Sequence, residues 1–173
     1  MDNVLLFSKS LLDKYLTKDC IVVDATCGNG NDTLYLCEKF KFVYGFDIQK
    51  KAIENTSKLL ENHSNFKLFQ TSHENICEYV DSCDGAIFNL GYLPNASHKV
   101  ITKYDSTIKA VESLLTIIKK GIIVLVVYVA HDEGVEGLHL EKYLNTIDKK
   151  YDVIKYQFIN RNNAPYVLAI NIK

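Results

Sequence analysis

The stretch Asp24-Ala-Thr-Cys-Gly-Asn-Gly-Asn-Asp-Thr33 decides the fold of this chain. It follows a β-branched apolar run at residues 21–23 and leads into a helical pattern that continues to Phe40. Gly28 and Gly30 carry no Cβ, so this turn can adopt positive φ and let the backbone approach a ligand closely. The helix behind the turn directs its free N–H groups toward the same place. Strand, glycine turn and helix in this order predict either a nucleotide-type cofactor site or an ordinary tight β–α turn.

Length and composition are those of a globular domain with a core of its own. The chain has 173 residues, of which 47% are hydrophobic and 24% are charged, and we expect one domain over residues 1–173. Its longest apolar run, at 121–130, is far shorter than the ~20 residues that a membrane helix needs. The first residues show no basic stretch followed by an apolar segment, so we expect no secretory signal and a cytoplasmic protein.

The cysteines and the net charge narrow the function classes further. None of the five cysteines belongs to a C-x-x-C pair, which argues against a disulfide framework and a structural zinc site. No set of His, Asp and Glu has convincing metal-ligand spacing either, so we expect no metal. A net charge of −1 gives no global attraction to nucleic acid. An RNA partner would therefore be met by a local patch of lysines or by a small contact area.

Strand and helix patterns alternate along most of the chain. An amphipathic helix within residues 1–18 has Val4, Leu5, Leu11, Leu12 and Tyr15 at helical spacing and is expected to pack on the domain. Seven strand patterns follow, at 20–25, 42–46, 66–69, 85–89, 121–129, 151–158 and 166–172. A short link joins the last two, which permits antiparallel pairing only. We predict an α/β fold with a mostly parallel seven-stranded sheet, a terminal antiparallel hairpin and helices on both faces.

Polar residues follow the predicted strands at the edge where such folds bind ligands. In an open α/β sheet, ligands bind beyond the carboxyl ends of the strands, near the topological switch point. This rule nominates residues 24–32, Asp47, the pair Ser72-His73, residues 89–94 and residues 128–131. One fold brings all five segments together.

Asp47 is the residue expected to bind a ribose. It ends the second strand about 20 residues beyond Gly28, where a carboxylate can accept both ribose hydroxyls. Ile48 or Gln49 would then flank an adenine. A dinucleotide fingerprint has a third glycine where this chain has Thr33, so NAD is disfavoured without being excluded. The alternative is that Asp47 is a solvated carboxylate at a strand end.

Asp24 and Asp32 flank the glycines and favour one nucleotide-like cofactor over others. S-adenosylmethionine carries a cationic α-amino group and a sulfonium, which acidic side chains complement. The pyrophosphate of NAD or ATP would gain nothing from two carboxylates at this position. Asp32 also has an alternative role as a helix cap, and the two roles can coexist.

The second informative stretch is Asn89-Leu-Gly-Tyr-Leu-Pro94 at the end of the fourth strand. The Asn89 amide oxygen and a following backbone carbonyl can accept the hydrogens of a substrate amine and orient its lone pair toward a methyl donor. Tyr92 offers a ring face for a planar base. The alternative is a plain turn that ends in proline. His98 and His131 are candidates for acid–base work, although a lone loop histidine is more often structural.

These motifs together resemble a known family. The order of the 24–33 stretch, Gly45-Phe-Asp-Ile-Gln49 and Asn89-Leu-Gly-Tyr-Leu-Pro94 is similar to the bacterial methyltransferases long labelled "putative rRNA methylase". Within them, the chain looks like the MnmM-type tRNA 5-aminomethyl-2-thiouridine methyltransferases. The similarity continues through Tyr128 to Pro165 and covers nearly the whole chain.

The resemblance implies a class I, Rossmann-like methyltransferase fold that binds S-adenosylmethionine. The acceptor would be the aminomethyl nitrogen on C5 of the wobble uridine in the tRNA anticodon loop. The residues expected around the cofactor are Asp24, Thr26, Gly28, Asn29, Gly30, Asn31, Asp32, Thr33, Asp47, Ile48, Gln49, Ser72, His73, Asn89 and Leu90. The residues expected to act on the acceptor are Asn89, Tyr92, His98 and His131, and those expected to bind the RNA are Tyr92, Pro94, Lys99, Tyr128 and Arg161.

Several alternatives remain open at this point. The acceptor could be a ribosomal RNA base or a small amine, with the same cofactor. The chain could also be a binding module that retains the fold without turnover, or an NAD enzyme. A homodimer is a reasonable expectation if apolar surface stays exposed, because it would extend the RNA footprint of a small enzyme.

Overall fold

The computed structural model describes residues 3–91, 104–129, 134–161 and 163–173. It consists of seven strands and of helices that lie before and between them. The strands are β1 Ile21–Asp24, β2 Phe42–Phe46, β3 Phe66–Phe69, β4 Gly85–Leu90, β5 Gly121–Val127, β6 Asp152–Tyr156 and β7 Tyr166–Ile172. The α-helices are α1 Val4–Tyr15, α2 Asn31–Lys39, α3 Lys50–Leu59, α4 Tyr104–Ile117 and α5 Val135–Leu144, and a 3₁₀ helix covers His73–Glu78. None of the helices in these described ranges is long and apolar enough to cross a membrane.

The strands form one sheet in the order β3-β2-β1-β4-β5-β7-β6. The first five strands in this order are mutually parallel, while β7 runs antiparallel to both β5 and β6. The order reverses between β1 and β4, which is the topological switch point of the sheet. The predicted fold, a mostly parallel sheet that ends in an antiparallel hairpin, is therefore confirmed.

Both faces of the sheet are covered. Consecutive residues of a strand point to opposite faces, and here they enter different clusters of buried side chains. Val23 and Ile123 lie in one cluster, whereas Val22 and Val124 lie in the other. All seven residues of β5 are buried, in keeping with its unbroken apolar sequence. The helices on the two faces exclude water from the centre of the sheet.

Helix α1 packs on one face of the sheet, as expected, but the predicted apolar stripe is partly wrong. Leu11 and Leu12 are buried, whereas Leu5 and Tyr15 are 37% and 38% exposed. Ser8 takes a buried position instead. Its hydroxyl donates to the Leu5 carbonyl oxygen at 2.8 Å, so the polar group is satisfied within the helix and can face the core.

The glycine turn after β1 packs directly over β2. The Cys27 backbone N–H donates to the Phe46 carbonyl oxygen at 3.0 Å, and the Cys27 side chain is buried against Gly45. A Cβ placed on Gly45 would lie 2.7 Å from Cys27 Sγ and 2.6 Å from Leu68 Cδ2. Because Gly45 has no Cβ, the glycine turn can pack closely against β2.

We predict that Gly45→Ala destabilises the protein by about 1–3 kcal/mol, because a buried methyl would displace Cys27 and Leu68. Urea denaturation of the purified variant measures this change. Adding Cys27→Ala to the variant should recover part of the loss, since it removes one of the two contacts. An unchanged free energy of unfolding for Gly45→Ala would contradict the packing described here.

Candidate active site

The backbone of the glycine turn has a conformation that requires glycine. Gly28 has φ of 55° and Gly30 has φ of 85°, in the left-handed region that side chains disfavour. A Cβ on Gly30 would also come within 3.0 Å of the Thr56 Cα. Gly30 is the N-cap of α2, so the free N–H groups of this helix begin at the turn. On the other side, the Asn55 side-chain amide donates to Asn29 Oδ1 at 3.2 Å and ties the turn to α3.

Asp24 lies beneath the turn with its carboxyl group fully buried. Its Oδ2 accepts a hydrogen bond from the Thr33 hydroxyl at 2.6 Å, and its Oδ1 accepts from the Thr26 backbone N–H at 3.1 Å. Burial, and secondarily the charge of Asp32, raises the pKa of Asp24 to about 7. At neutral pH this group therefore sits near its titration midpoint, where an arriving cation would favour the ionised form.

Asp47 joins the first two loops of the site. Its Oδ2 accepts from the Gly28 N–H at 2.9 Å, and its Oδ1 accepts from the Gln49 N–H at 2.9 Å. Burial raises its pKa above the usual value, and these hydrogen bonds act against that rise. An ionised carboxylate has about four lone-pair sites, so Asp47 keeps acceptor capacity for a ligand. Ile48, next in the chain, is half exposed at the position expected beside an adenine.

Asn89 lies at the end of β4, opposite the glycine turn. Its backbone N–H donates to the Thr26 hydroxyl at 2.7 Å, which links the two loops across the switch point. Its side-chain Nδ2 donates to Asp32 Oδ2 at 2.9 Å. Its Oδ1 is buried and has no hydrogen-bond partner in the part of the chain that the structure describes. A buried acceptor left open in this way costs free energy unless a ligand donates to it.

Asp32 also makes an ion pair with a residue that the sequence patterns did not nominate. The Lys9 ammonium on α1 lies 3.0 Å from Asp32 Oδ1, and both side chains are mostly buried. No local motif marks Lys9, because the contact joins two helices that are distant in sequence. The alternative role of Asp32 as a helix cap is wrong, because the N-cap of α2 is Gly30 and no side chain makes a capping hydrogen bond. Asp32 instead bridges Lys9 and Asn89.

The pair Ser72-His73 lies where β3 ends, as predicted. Ser72 caps the 3₁₀ helix by accepting from the Glu74 N–H. The His73 ring is buried, and burial lowers its pKa, so it is neutral at pH 7. Its Nδ1 lies 3.3 Å from the Ala25 carbonyl oxygen, which fixes the proton on Nδ1. Nε2 is then a buried acceptor that no described residue satisfies.

Two predicted RNA-binding residues lie beside the end of β5. Burial, and secondarily the charge of Asp32 in the first turn of α2, raises the pKa of the Tyr128 hydroxyl. The Arg161 guanidinium stacks over the Phe158 ring at 4.6 Å. Arg161, Phe158 and Val129 line an open cavity of about 430 Å³. The loop between β6 and β7 thus extends the site beyond β5.

The structure brings together the predicted residues of the first four strand ends. These lie in the glycine turn, at the ends of β2 and β3 and at the end of β4, where Leu90 is buried next to Asn89. Asn31 is exposed at the first position of α2. The remaining predicted residues lie outside the described residues: Tyr92, Pro94, His98, Lys99 and His131.

Comparison with known proteins places this arrangement in a family. A family model described as "Putative rRNA methylase" matches residues 43–171. A curated chloroplast protein of Arabidopsis thaliana, "tRNA (mnm(5)s(2)U34)-methyltransferase", is 36% identical over 90% of this chain. An uncharacterized RNA methyltransferase of Oceanobacillus iheyensis is 42% identical over 29% of it. The chain spans 64% of the length of the plant protein and 11% of the other, so it matches less than two thirds of either curated relative.

Solved structures resemble the chain over almost its whole length. A Clostridium thermocellum protein described as a "putative rRNA-methylase" has a TM-score of 0.95 at 36% identity, and the match covers 99% of this chain and 98% of that one. A Streptococcus mutans protein described as a "putative methyltransferase", solved in complex with SAH, has a TM-score of 0.92 at 34% identity with the same coverage. The fold is therefore shared with both.

We predict that Asp24 makes the stability of the ligand-free protein depend on pH. Its pKa is about 7 in the folded chain and 3.8 in the unfolded chain, so its contribution to stability is complete below pH 4 and is lost as pH rises through 7. Asp24→Asn has no such loss. The free energy of unfolding of the variant minus that of wild type should therefore grow between pH 5 and pH 8, by up to about 1.4 kcal/mol per pH unit.

Urea denaturation at several pH values measures this difference. Asp152→Asn is the matched control, because Asp152 is exposed and its pKa is lowered from 3.8 by Lys173. That group is ionised throughout the range, so its difference from wild type should stay flat. Parallel curves for Asp24→Asn and wild type would show that Asp24 titrates normally.

Proposed function

Since the chain belongs to the family described as "Putative rRNA methylase", we propose that it is an S-adenosylmethionine-dependent methyltransferase that acts on RNA. The acceptor that the site supports best is the aminomethyl nitrogen of 5-aminomethyl-2-thiouridine at the wobble position of tRNA. The Arabidopsis relative is named as a methyltransferase for this position of tRNA, which supports this acceptor. The observation that carries the proposal is the open, buried Oδ1 of Asn89 opposite the glycine turn.

The residues at the first three strand ends suit this cofactor. The bound SAH of the Streptococcus mutans relative supports the assignment. Asp47 retains acceptor capacity for ribose hydroxyls, and Ile48 offers an apolar surface to the base. Asp24 provides negative charge beneath the turn. When bound, the cofactor supplies a methyl group on a cationic sulfur.

Asn89 orients the acceptor amine. A neutral amine attacks through its lone pair, so its N–H groups must be held by acceptors while the lone pair stays free. The Asn89 Oδ1 is a fixed acceptor because Nδ2 is bound to Asp32. On binding, the amine replaces its hydrogen bonds to water with a hydrogen bond to Asn89 Oδ1. Because this oxygen is already fixed, the entropic cost of reaching the reactive geometry is lower.

An alkylamine is largely protonated at neutral pH, so one proton must leave before attack. Tyr128 is not suited to accept it, because burial and Asp32 keep this phenol protonated well above neutral pH. Tyr92, His98 and His131 remain the proposed proton acceptors.

The RNA is met by a small contact surface and not by a strongly basic face, because the net charge of the chain is −1. Arg161, stacked on Phe158, presents a planar cation beside the end of β5. Such a pair can stack on an unpaired base and contact a phosphate. The tip of the anticodon loop is single-stranded, so the wobble uridine can be splayed out without melting a helix.

Mass spectrometry of wobble nucleosides tests the proposal. Bulk tRNA from a strain that lacks the gene is incubated with the purified protein and S-adenosylmethionine. We expect 5-aminomethyl-2-thiouridine to be replaced by its N-methylated form. The proposal fails if the wobble nucleosides stay unchanged while ribosomal RNA or a small amine gains methyl groups under the same conditions.

We predict that Asn89→Ala reduces kcat for tRNA methylation by about 100-fold, because the amine loses its positioned acceptor. The Kd for SAH, measured by calorimetry, should stay near the wild-type value. Radiolabelled methyl transfer to the tRNA substrate measures turnover.

Asn65→Ala is the control for this variant. Asn65 Nδ2 donates to the carbonyl oxygens of Cys37 and Phe40 at 2.9 and 3.0 Å, away from the proposed site of the methyl acceptor. Its turnover per folded molecule should match wild type. Full activity of Asn89→Ala would remove the proposed role of Asn89.

A further inference from the structure

We propose that Lys9 is a positioning residue for the methyl acceptor, which acts through Asp32 on Asn89. The inference rests on the proposed function, since it concerns how the amine is held. Three side chains from three separate elements form a chain of contacts: Lys9 Nζ lies 3.0 Å from Asp32 Oδ1, and Asp32 Oδ2 accepts from Asn89 Nδ2 at 2.9 Å. The chain ends at the open Oδ1 of Asn89.

The contact with Asp32 determines which way the Asn89 amide faces. An ionised carboxylate only accepts hydrogen bonds, so it binds the NH₂ end of the amide and turns the carbonyl oxygen away. A reversed amide would place an oxygen against the carboxylate and present donors to the amine. Asp32 therefore selects the orientation of Asn89 in which an amine can be bound.

Lys9 holds the Asp32 carboxylate in place. An exposed ion pair contributes little, but the Lys9 and Asp32 side chains are only 26% and 15% exposed. Lys9 is itself held by Tyr35, whose ring lies 4.8 Å from the ammonium and whose hydroxyl lies 3.2 Å from the Lys9 carbonyl oxygen. The Tyr35 hydroxyl also lies 2.7 Å from Asp13 Oδ1. Helix α1 thus reaches the acceptor site through a fixed lysine.

The charge of Lys9 also bears on the proton that the acceptor must lose. An unbalanced Asp32 carboxylate next to the amine would stabilise its ammonium form and raise its pKa. Lys9 balances that carboxylate, so the neutral amine is reached at lower pH. The other titratable groups around the pair are Asp24 at the end of β1, Tyr35 on α2, Asp13 on α1 and Tyr128 after β5.

The test compares Lys9→Met with Lys9→Arg and with Lys39→Met. Lys39 is a matched control, because it faces the same Tyr35 ring at 5.9 Å and pairs with Asp13, but makes no ion pair with Asp32. Methyl transfer to tRNA is measured across a pH range, with the Kd for SAH and the thermal midpoint measured for each variant. Methyl transfer by the wild-type protein to this tRNA is measured first. If wild type does not methylate the tRNA, the proposed function is refuted, and there is no methyl acceptor for Lys9 to position.

We expect Lys9→Met to lower kcat by about 10- to 100-fold. Its pH profile should move toward alkaline pH by about one unit, because Asp32 is left unbalanced. Its Kd for SAH should stay near wild type, and its turnover is expressed per folded molecule because loss of this mostly buried ion pair lowers the thermal midpoint. Lys9→Arg should restore most of the activity and the pH profile, and Lys39→Met should resemble wild type in every measurement.

Two results would overturn the proposal. One is a wild-type kcat and pH profile for Lys9→Met in a protein whose wild type methylates tRNA. The other is a loss of activity that is fully explained by a smaller folded fraction, both in Lys9→Met and in the milder Lys9→Gln. In that case Lys9 would only hold α1 on the domain.

Discussion

The hydrogen bond between the Asn89 backbone N–H and the Thr26 hydroxyl is the contact on which the site depends. It forms because β1 and β4 are neighbours at the point where the strand order reverses, so that the loops after them meet. One loop supplies the glycine turn and the other supplies the Asn89 amide. Separating these loops by one strand would remove the contact and leave two unrelated turns. The topology therefore places the glycine turn and the Asn89 amide side by side.

Carboxylates dominate the electrostatics of this junction. Asp24 and Asp47 accept hydrogen bonds from backbone N–H groups and, for Asp24, from a hydroxyl. Of these three carboxylates, only Asp32 makes an ion pair with a cationic side chain among the described residues. Burial raises the pKa of Asp24 and of Asp47, so the folded chain bears a cost when they ionise. A ligand that carries positive charge offsets that cost, and a pyrophosphate would add to it. The site is therefore suited to a sulfonium and an ammonium group.

Much of the fold could be predicted from the sequence, because it is governed by local patterns. The alternation of strands and helices and the short link before the last strand both follow from residues close together in the chain. The position of Asp47 was predictable for the same reason, but its two backbone donors were not, since one of them lies in the glycine turn. Ser8 in the buried face of α1 and the Lys9–Asp32 pair were missed because each depends on tertiary packing. The roles of the site residues remain predictions. Several of these residues lie outside the described segments of the chain.

A crystal structure with SAH and an anticodon stem-loop that carries 5-aminomethyluridine tests whether Asn89 holds the acceptor amine. We expect the aminomethyl nitrogen to lie within hydrogen-bond distance of Asn89 Oδ1, with Nδ2 still on Asp32 and Asp32 still on Lys9. An aminomethyl nitrogen that is bound elsewhere, with Asn89 turned away from it or buried behind a closed loop, would contradict it.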